Sequence, residues 1–141
     1  MNRDQRIVIV PCSGIGKSLG TVSREAAYEL CDNLRPGDTQ LVALSKLVLG
    51  DEQARERVRT SPVVTIDGCK QMCAAKLVKY SGGTVSREVA VFEAFRDHKD
   101  LKPEGIAELN PEGKQLARVL AEEIAEQLDQ LQFAAEGGQH A

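Results

Sequence analysis

Ile7-Val8-Ile9-Val10-Pro11-Cys12 and Val63-Val64-Thr65-Ile66-Asp67-Gly68-Cys69 decide how this chain is read. Each opens on an apolar run rich in Ile and Val, unbroken in the first and interrupted by Thr65 alone in the second. That is the composition of a strand covered on both faces, not of one that alternates between core and water. Each run stops at a turn and a cysteine. Laid side by side as parallel strands, the two would bring their cysteines together at the carboxyl edge of one sheet, where open α/β sheets build their sites.

The segments around these runs fit such a sheet. Cys12-Ser13-Gly14-Ile15-Gly16-Lys17-Ser18-Leu19-Gly20 is a glycine-rich loop. Thr21 or Ser23 can cap a following helix that carries Ala26, Ala27, Leu30 and Leu34 on one side, and Arg35-Pro36-Gly37-Asp38 breaks it. Residues 39–44 read as a second strand and 51–59 as a polar helix. After the 63–66 strand, 70–80 reads as a helix stopped by Ser81-Gly82-Gly83. Residues 87–95 alternate as a fourth strand, with Val89, Val91 and Phe92 inward. Asn110-Pro111 is a helix start, with Asn as cap and Pro in the first turn. That helix runs to about Leu131 with Leu116, Leu120, Ile124, Leu128 and Leu131 along one stripe. The expectation is a single three-layer α/β domain over residues 1–133, with a mostly parallel sheet of about four strands, a C-terminal amphipathic helix, and a flexible tail at 134–141. The hexapeptide Gly-Thr-Val-Ser-Arg-Glu occurs at 20–25 and again at 83–88. The flanking residues diverge, so local coincidence is favoured over duplication.

Composition narrows the function classes. The 141 residues are 42% hydrophobic and 28% charged, the mix of a globular domain. A net charge of −3 advertises no basic face for nucleic acid, and 4% aromatics without Trp offer few stacking platforms. No apolar run reaches the roughly 20 residues of a membrane span. The N-terminus leads into a strand without a signal-like apolar region, so a cytoplasmic location is the expectation. Four cysteines in such a chain argue for reduced thiols, not a disulfide framework.

Cys69 and Cys73 are separated by three residues, within the spacing of zinc-ligand pairs. Read as i and i+4 of one helix they share a face, and a helix start there favours the thiolate. Cys12, from the neighbouring strand, can supply a third ligand. Cys31, Asp67, His98 or water are candidates for a fourth, although Cys31 falls far down the first helix and Asp67 suits a capping role. Three other chemistries compete. Cys69 and Cys12 could serve persulfide transfer, disulfide exchange or metal handover. The 13–20 loop could cradle a phosphate or nucleotide, although Pro11 stands where a Walker motif needs glycine. Hydrolysis by a cysteine nucleophile would need a histidine base, and His98 and His140 are the only histidines.

Asp67-Gly68-Cys69 followed by Cys73-Ala74-Ala75-Lys76, after a first strand ending Pro11-Cys12-Ser13-Gly14, resembles the family of zinc-binding proteins named for their DGC motif. The likeness spans roughly residues 6 to 100. It implies a zinc-holding cysteine cluster matching Cys12, Cys69 and Cys73, and no particular reaction. Family members commonly carry a further cysteine on the middle strand, where this chain has Ala43-Leu44-Ser45.

Overall fold

The computed structural model describes residues 6–12, 17–68 and 70–140, the last nine for their backbone only. Four strands form one parallel sheet: β1 (Ile7–Pro11), β2 (Thr39–Leu41), β3 (Val63–Asp67) and β4 (Val85–Ala90), in the order β2-β1-β3-β4. β1 and β3 are the central pair, in register from Val8 opposite Val63 to Pro11 opposite Ile66. All five residues of each are buried, as the apolar composition of the two runs leads one to expect, and in β3 that burial takes in Thr65 and Asp67 as well. Pro11 ends its strand, where its missing N–H costs the ladder least.

Alternate residues of the central strands feed two cores. Ile7, Ile9, Val64 and Ile66 pack with α1 (Ser18–Glu29), α5 (Val91–Asp97) and α6 (Pro111–His140). Val8, Val10, Cys12 and Val63 pack with α2 (Leu44–Leu49), α3 (Glu52–Thr60) and α4 (Cys73–Tyr80). This is the expected three-layer α/β arrangement. The stripe from Leu116 to Leu128 is buried against α1 and the sheet, and Leu131 packs on its edge. None of the helices among the described residues is long and apolar enough to cross a membrane.

Several element boundaries differ from expectation. The 87–95 segment is not one strand: β4 ends at Ala90 and Val91–Asp97 is helical, so Val91 and Ala94 reach the core from α5. Their spacing, with Phe95 beside them, is that of one helical face. β2 spans only three residues, and Leu44–Leu49 forms a helix closed by a left-handed Gly50. The first helix starts at Ser18, ahead of Thr21 and Ser23, which are buried within it, and passes into a π-helical turn at Leu30–Leu34. α6 continues helical to His140, past the end expected near Leu131.

The repeated hexapeptide takes two conformations. Its first copy lies inside α1, and its second enters β4 from a loop. A Cβ on Gly83 would sit 2.6 Å from the Val58 carbonyl oxygen, so that glycine serves contact with α3.

Candidate functional site

In the order β2-β1-β3-β4 the chain winds one way from β1 and the other way from β3, so the gap above their carboxyl ends is the topological switch point. Cys12 stands there at the end of β1, and the Asp67-Gly68 turn leaves β3 beside it. Backbone pairing carries past the strand: the Cys12 amide donates to the Ile66 carbonyl at 2.8 Å.

Each residue of this turn has a separate physical task. The Asp67 carboxylate is buried and accepts from the backbone amides of Ala74 (2.7 Å) and Ala75 (3.1 Å). It therefore caps α4 from outside the helix, satisfying two amides that have no partner within it. Burial pushes its pKa above the ordinary aspartate value. The two amide bonds pull the other way, and the neighbouring charges of Glu88 and Lys76 raise and lower it further. Gly68 is fixed by crowding. A Cβ there would lie 2.8 Å from the Gly20 nitrogen and 2.9 Å from the Gly20 Cα and the Leu19 carbonyl carbon. Only glycine lets this turn lie against the first turn of α1.

That close approach also serves the sulfur. The Gly68 amide donates to Cys12 Sγ at 3.2 Å, and Ser23 Oγ, from α1, lies 3.2 Å from the same atom. Ser23 donates to the Gly20 carbonyl at 2.6 Å, which occupies its single proton and leaves its oxygen as acceptor for the Cys12 thiol. With a thiolate at Cys12, the same hydroxyl can turn and donate to sulfur. Cys12 is almost fully buried, yet it borders a cavity of about 310 Å³ shared with Arg24, Tyr28 and Ser45. Ser45 is where the middle-strand cysteine was looked for. It lies in α2, exposed, on the wall of that cavity.

The other sequence-nominated residues fall as follows. Cys69 lies outside the described residues, as do 13–16 of the glycine-rich loop. Cys73 is exposed and is the first residue of α4. The expected helical i, i+4 pairing of Cys69 with Cys73 is corrected: residues 70 and 71 form a turn and Met72 is left-handed, with φ of 53°. The cause is Asp67, whose bonds to Ala74 and Ala75 set the helix start at Cys73. Cys31 sits in the π-helical turn, with Thr39 lowering its pKa against the larger rise from burial. Thr39 pairs with Ile7 at the opposite end of β1 from Cys12. Five residues of strand, roughly 16 Å, separate the two ends. Cys31 is therefore no partner for Cys12. His98 follows α5 and contacts Glu123 of α6 at 3.4 Å. Both Asp67 oxygens are held by α4 amides. Among the described residues, no group of three or more His, Cys, Asp or Glu is arranged to hold a metal ion.

Lys17, Ser18 and Leu19, the described end of the loop read as a phosphate cradle, line a second cavity beside Gly68 whose other walls no motif announced. This cavity of about 620 Å³ is bounded by the start of α1, the β3–α4 turn, Phe92 of α5 and the Gly105-Ile106 strap. Its contributors come from four separate parts of the chain and carry no common motif.

None of the curated proteins compared with the chain matches it, and none of the solved structures does. The model of the DGC domain matches residues 8–112, which runs from β1 to the first turn of α6 and takes in the whole Cys12–Asp67–Gly68 junction. With that match extending over more than half its length, the chain belongs to the DGC-domain family.

Proposed function

We propose that the chain is a zinc-binding protein whose ligands are the thiolates of Cys12, Cys69 and Cys73 at the carboxyl edge of β1 and β3. One observation carries the reading: Cys12 Sγ lies 3.2 Å from the amide nitrogen of Gly68, the residue bonded to Cys69. Cys69 is the next residue of the chain after Gly68, and that contact supports reading the two strand-ending cysteines as one ligand set. Cys73 opens the helix that Asp67 caps, four residues further along. The donor set suits a soft-to-borderline cation: its described members, Cys12 and Cys73, are free thiols, and Cys12 is already met by an amide donor and a hydroxyl. Three thiolates leave one position for water or an incoming ligand, the arrangement of exchangeable or reactive zinc.

Metal analysis of the reduced, full-length protein tests this. About one zinc per chain is expected, lost or weakened by at least about tenfold in Cys12→Ser, Cys69→Ser and Cys73→Ser and retained in Cys31→Ser. Wild-type protein without stoichiometric zinc sinks the reading.

The cavity bordering Cys12 favours a second reading, in which Cys12 and Cys69 transfer persulfide, exchange disulfides or hand over metal. A thiol with a way in and a serine able to donate to its anion is suited to attack. Metal-free protein then alkylates at one thiol, Cys12 or Cys69, far faster than at the others, the exposed Cys73 included, whereas a purely structural zinc site shows no single favoured thiol among its ligands once stripped.

A further inference from the structure

At about 620 Å³ the cavity, which is open to solvent, is in the size range of clefts that take small organic ligands. Its walls are apolar where Leu19, Phe92 and Ile106 face it, and cationic where Lys17 and Lys70 do. No Asp or Glu is among the described residues that line it. Asp67, next to it in sequence, is engaged with the amides of Ala74 and Ala75. The electrostatic bias is thus of one sign, in a protein whose net charge is −3.

The start of α1 adds to that bias. Lys17 holds the N-cap position in extended conformation and offers no acceptor to the amides behind it, and the first turn carries no acidic residue. An anion in the cavity would meet both the lysines and the positive end of a twelve-residue helix, which Ser18 and Leu19 bring to the cavity wall.

The outer wall is built, not incidental. The Thr21 hydroxyl, from α1, donates to the Ile106 carbonyl at 2.6 Å. Asn110 ties the base of the same strap: its side-chain oxygen accepts from the Glu104 amide, and its own amide donates to the Glu104 carbonyl, both at 2.9 Å. Gly105 turns the strap with φ of 96°, and a Cβ there would collide with the Glu108 carbonyl oxygen. An apolar Ile106 is thereby held half-exposed at the cavity.

We propose that this cavity binds a small organic anion, with an aromatic or branched apolar body against Phe92, Leu19 and Ile106 and a phosphate or carboxylate group at Lys17 and Lys70. This goes beyond the metal reading and does not depend on it.

The test is a heteronuclear NMR titration of the full chain, run with chelator and again with zinc. The probes are 1-naphthyl phosphate, 1-naphthoate, 1-naphthol and inorganic phosphate. Saturable shifts are expected at the amides of Leu19, Gly68 and Ile106 with at least one anionic naphthyl probe. Naphthol and inorganic phosphate should bind about tenfold more weakly, because each lacks half of what the cavity recognises. Preference for the phosphate or for the carboxylate identifies the headgroup. The exposed double variant Lys17→Glu/Lys70→Glu and the separate variant Ile106→Asp are each expected to weaken the preferred probe about tenfold while leaving the circular dichroism spectrum unchanged. Failure of both anionic probes to saturate, naphthol binding as tightly as they do, shifts centred on the exposed Val48 and Leu49, or undiminished binding by both variants overturns the proposal. None of these outcomes bears on zinc stoichiometry, so the two readings fail separately.

Discussion

Asp67 illustrates what a single residue of the Asp-Gly-Cys turn does. Its two amide bonds hold α4 in place, while burial opposes its charge strongly enough that the pKa is raised in the fold. A folded-state pKa above the unfolded one means that the native chain holds the extra proton in that interval, so stability falls as pH rises through it. The benefit from Asp67 is complete below the ordinary aspartate value and declines towards the raised one. Urea unfolding of wild type against Asp67→Asn, from pH 4 to pH 8, should show the wild-type advantage shrinking with pH; a constant difference would contradict the assignment. The capping role was readable from the residue type alone. The identity of the capped helix start was not, because the amides lie seven and eight residues away and the sequence offered the nearer Lys70 instead.

At the scale of elements, the central strands were legible because burial on both faces leaves a composition that little else produces. The boundaries that failed are those where two periods compete. Val89, Val91 and Phe92 satisfy a strand, while Val91, Ala94 and Phe95 satisfy a helix. The register decides between them, because β4 stops where Ala90 meets Asp67 at the end of β3. α2 was missed because it is only six residues long, although Gly50 and the Asp51 cap of α3 mark its end. Asn110 was read correctly as a cap: its side chain accepts from the Gly113 amide at 2.9 Å. Its second task, anchoring the strap at Glu104 and Lys102, depends on tertiary folding and left no local trace. Asn110→Ala is therefore expected to cost about 1–2 kcal/mol in denaturant unfolding. Hydrogen exchange at the Glu104 amide should speed up by more than that global loss explains. Equal changes throughout the chain would reduce Asn110 to an ordinary cap.

For the whole molecule, the sheet order could not be read from any segment, since it depends on which strands pair across long separations. It nevertheless determines the site: had β2 lain between β1 and β3, Cys12 and the Asp-Gly-Cys turn would be strangers. The family match ends at residue 112, whereas the larger core does not. Seven of its nineteen buried residues, from Leu116 to Leu128, come from α6. A chain stopped after Glu112 exposes the matching faces of α1 and α5 and forfeits about 1.5–3 kcal/mol for each large apolar side chain lost. It is expected to lack cooperative thermal unfolding by circular dichroism. A sharp transition in that truncated chain would show that the matched region folds alone.

The bond from Gly68 to Cys12 Sγ spans 56 residues, and this has a meaning in time as well as in space. During synthesis at about 5–20 residues per second, Cys12 is made about 3–11 seconds before the amide that meets its sulfur. For that interval neither β3 nor its turn exists to cover the thiol. The nascent chain therefore passes through a window in which the thiol is more open to oxidants than in the finished protein, where the cavity beside it is the remaining approach.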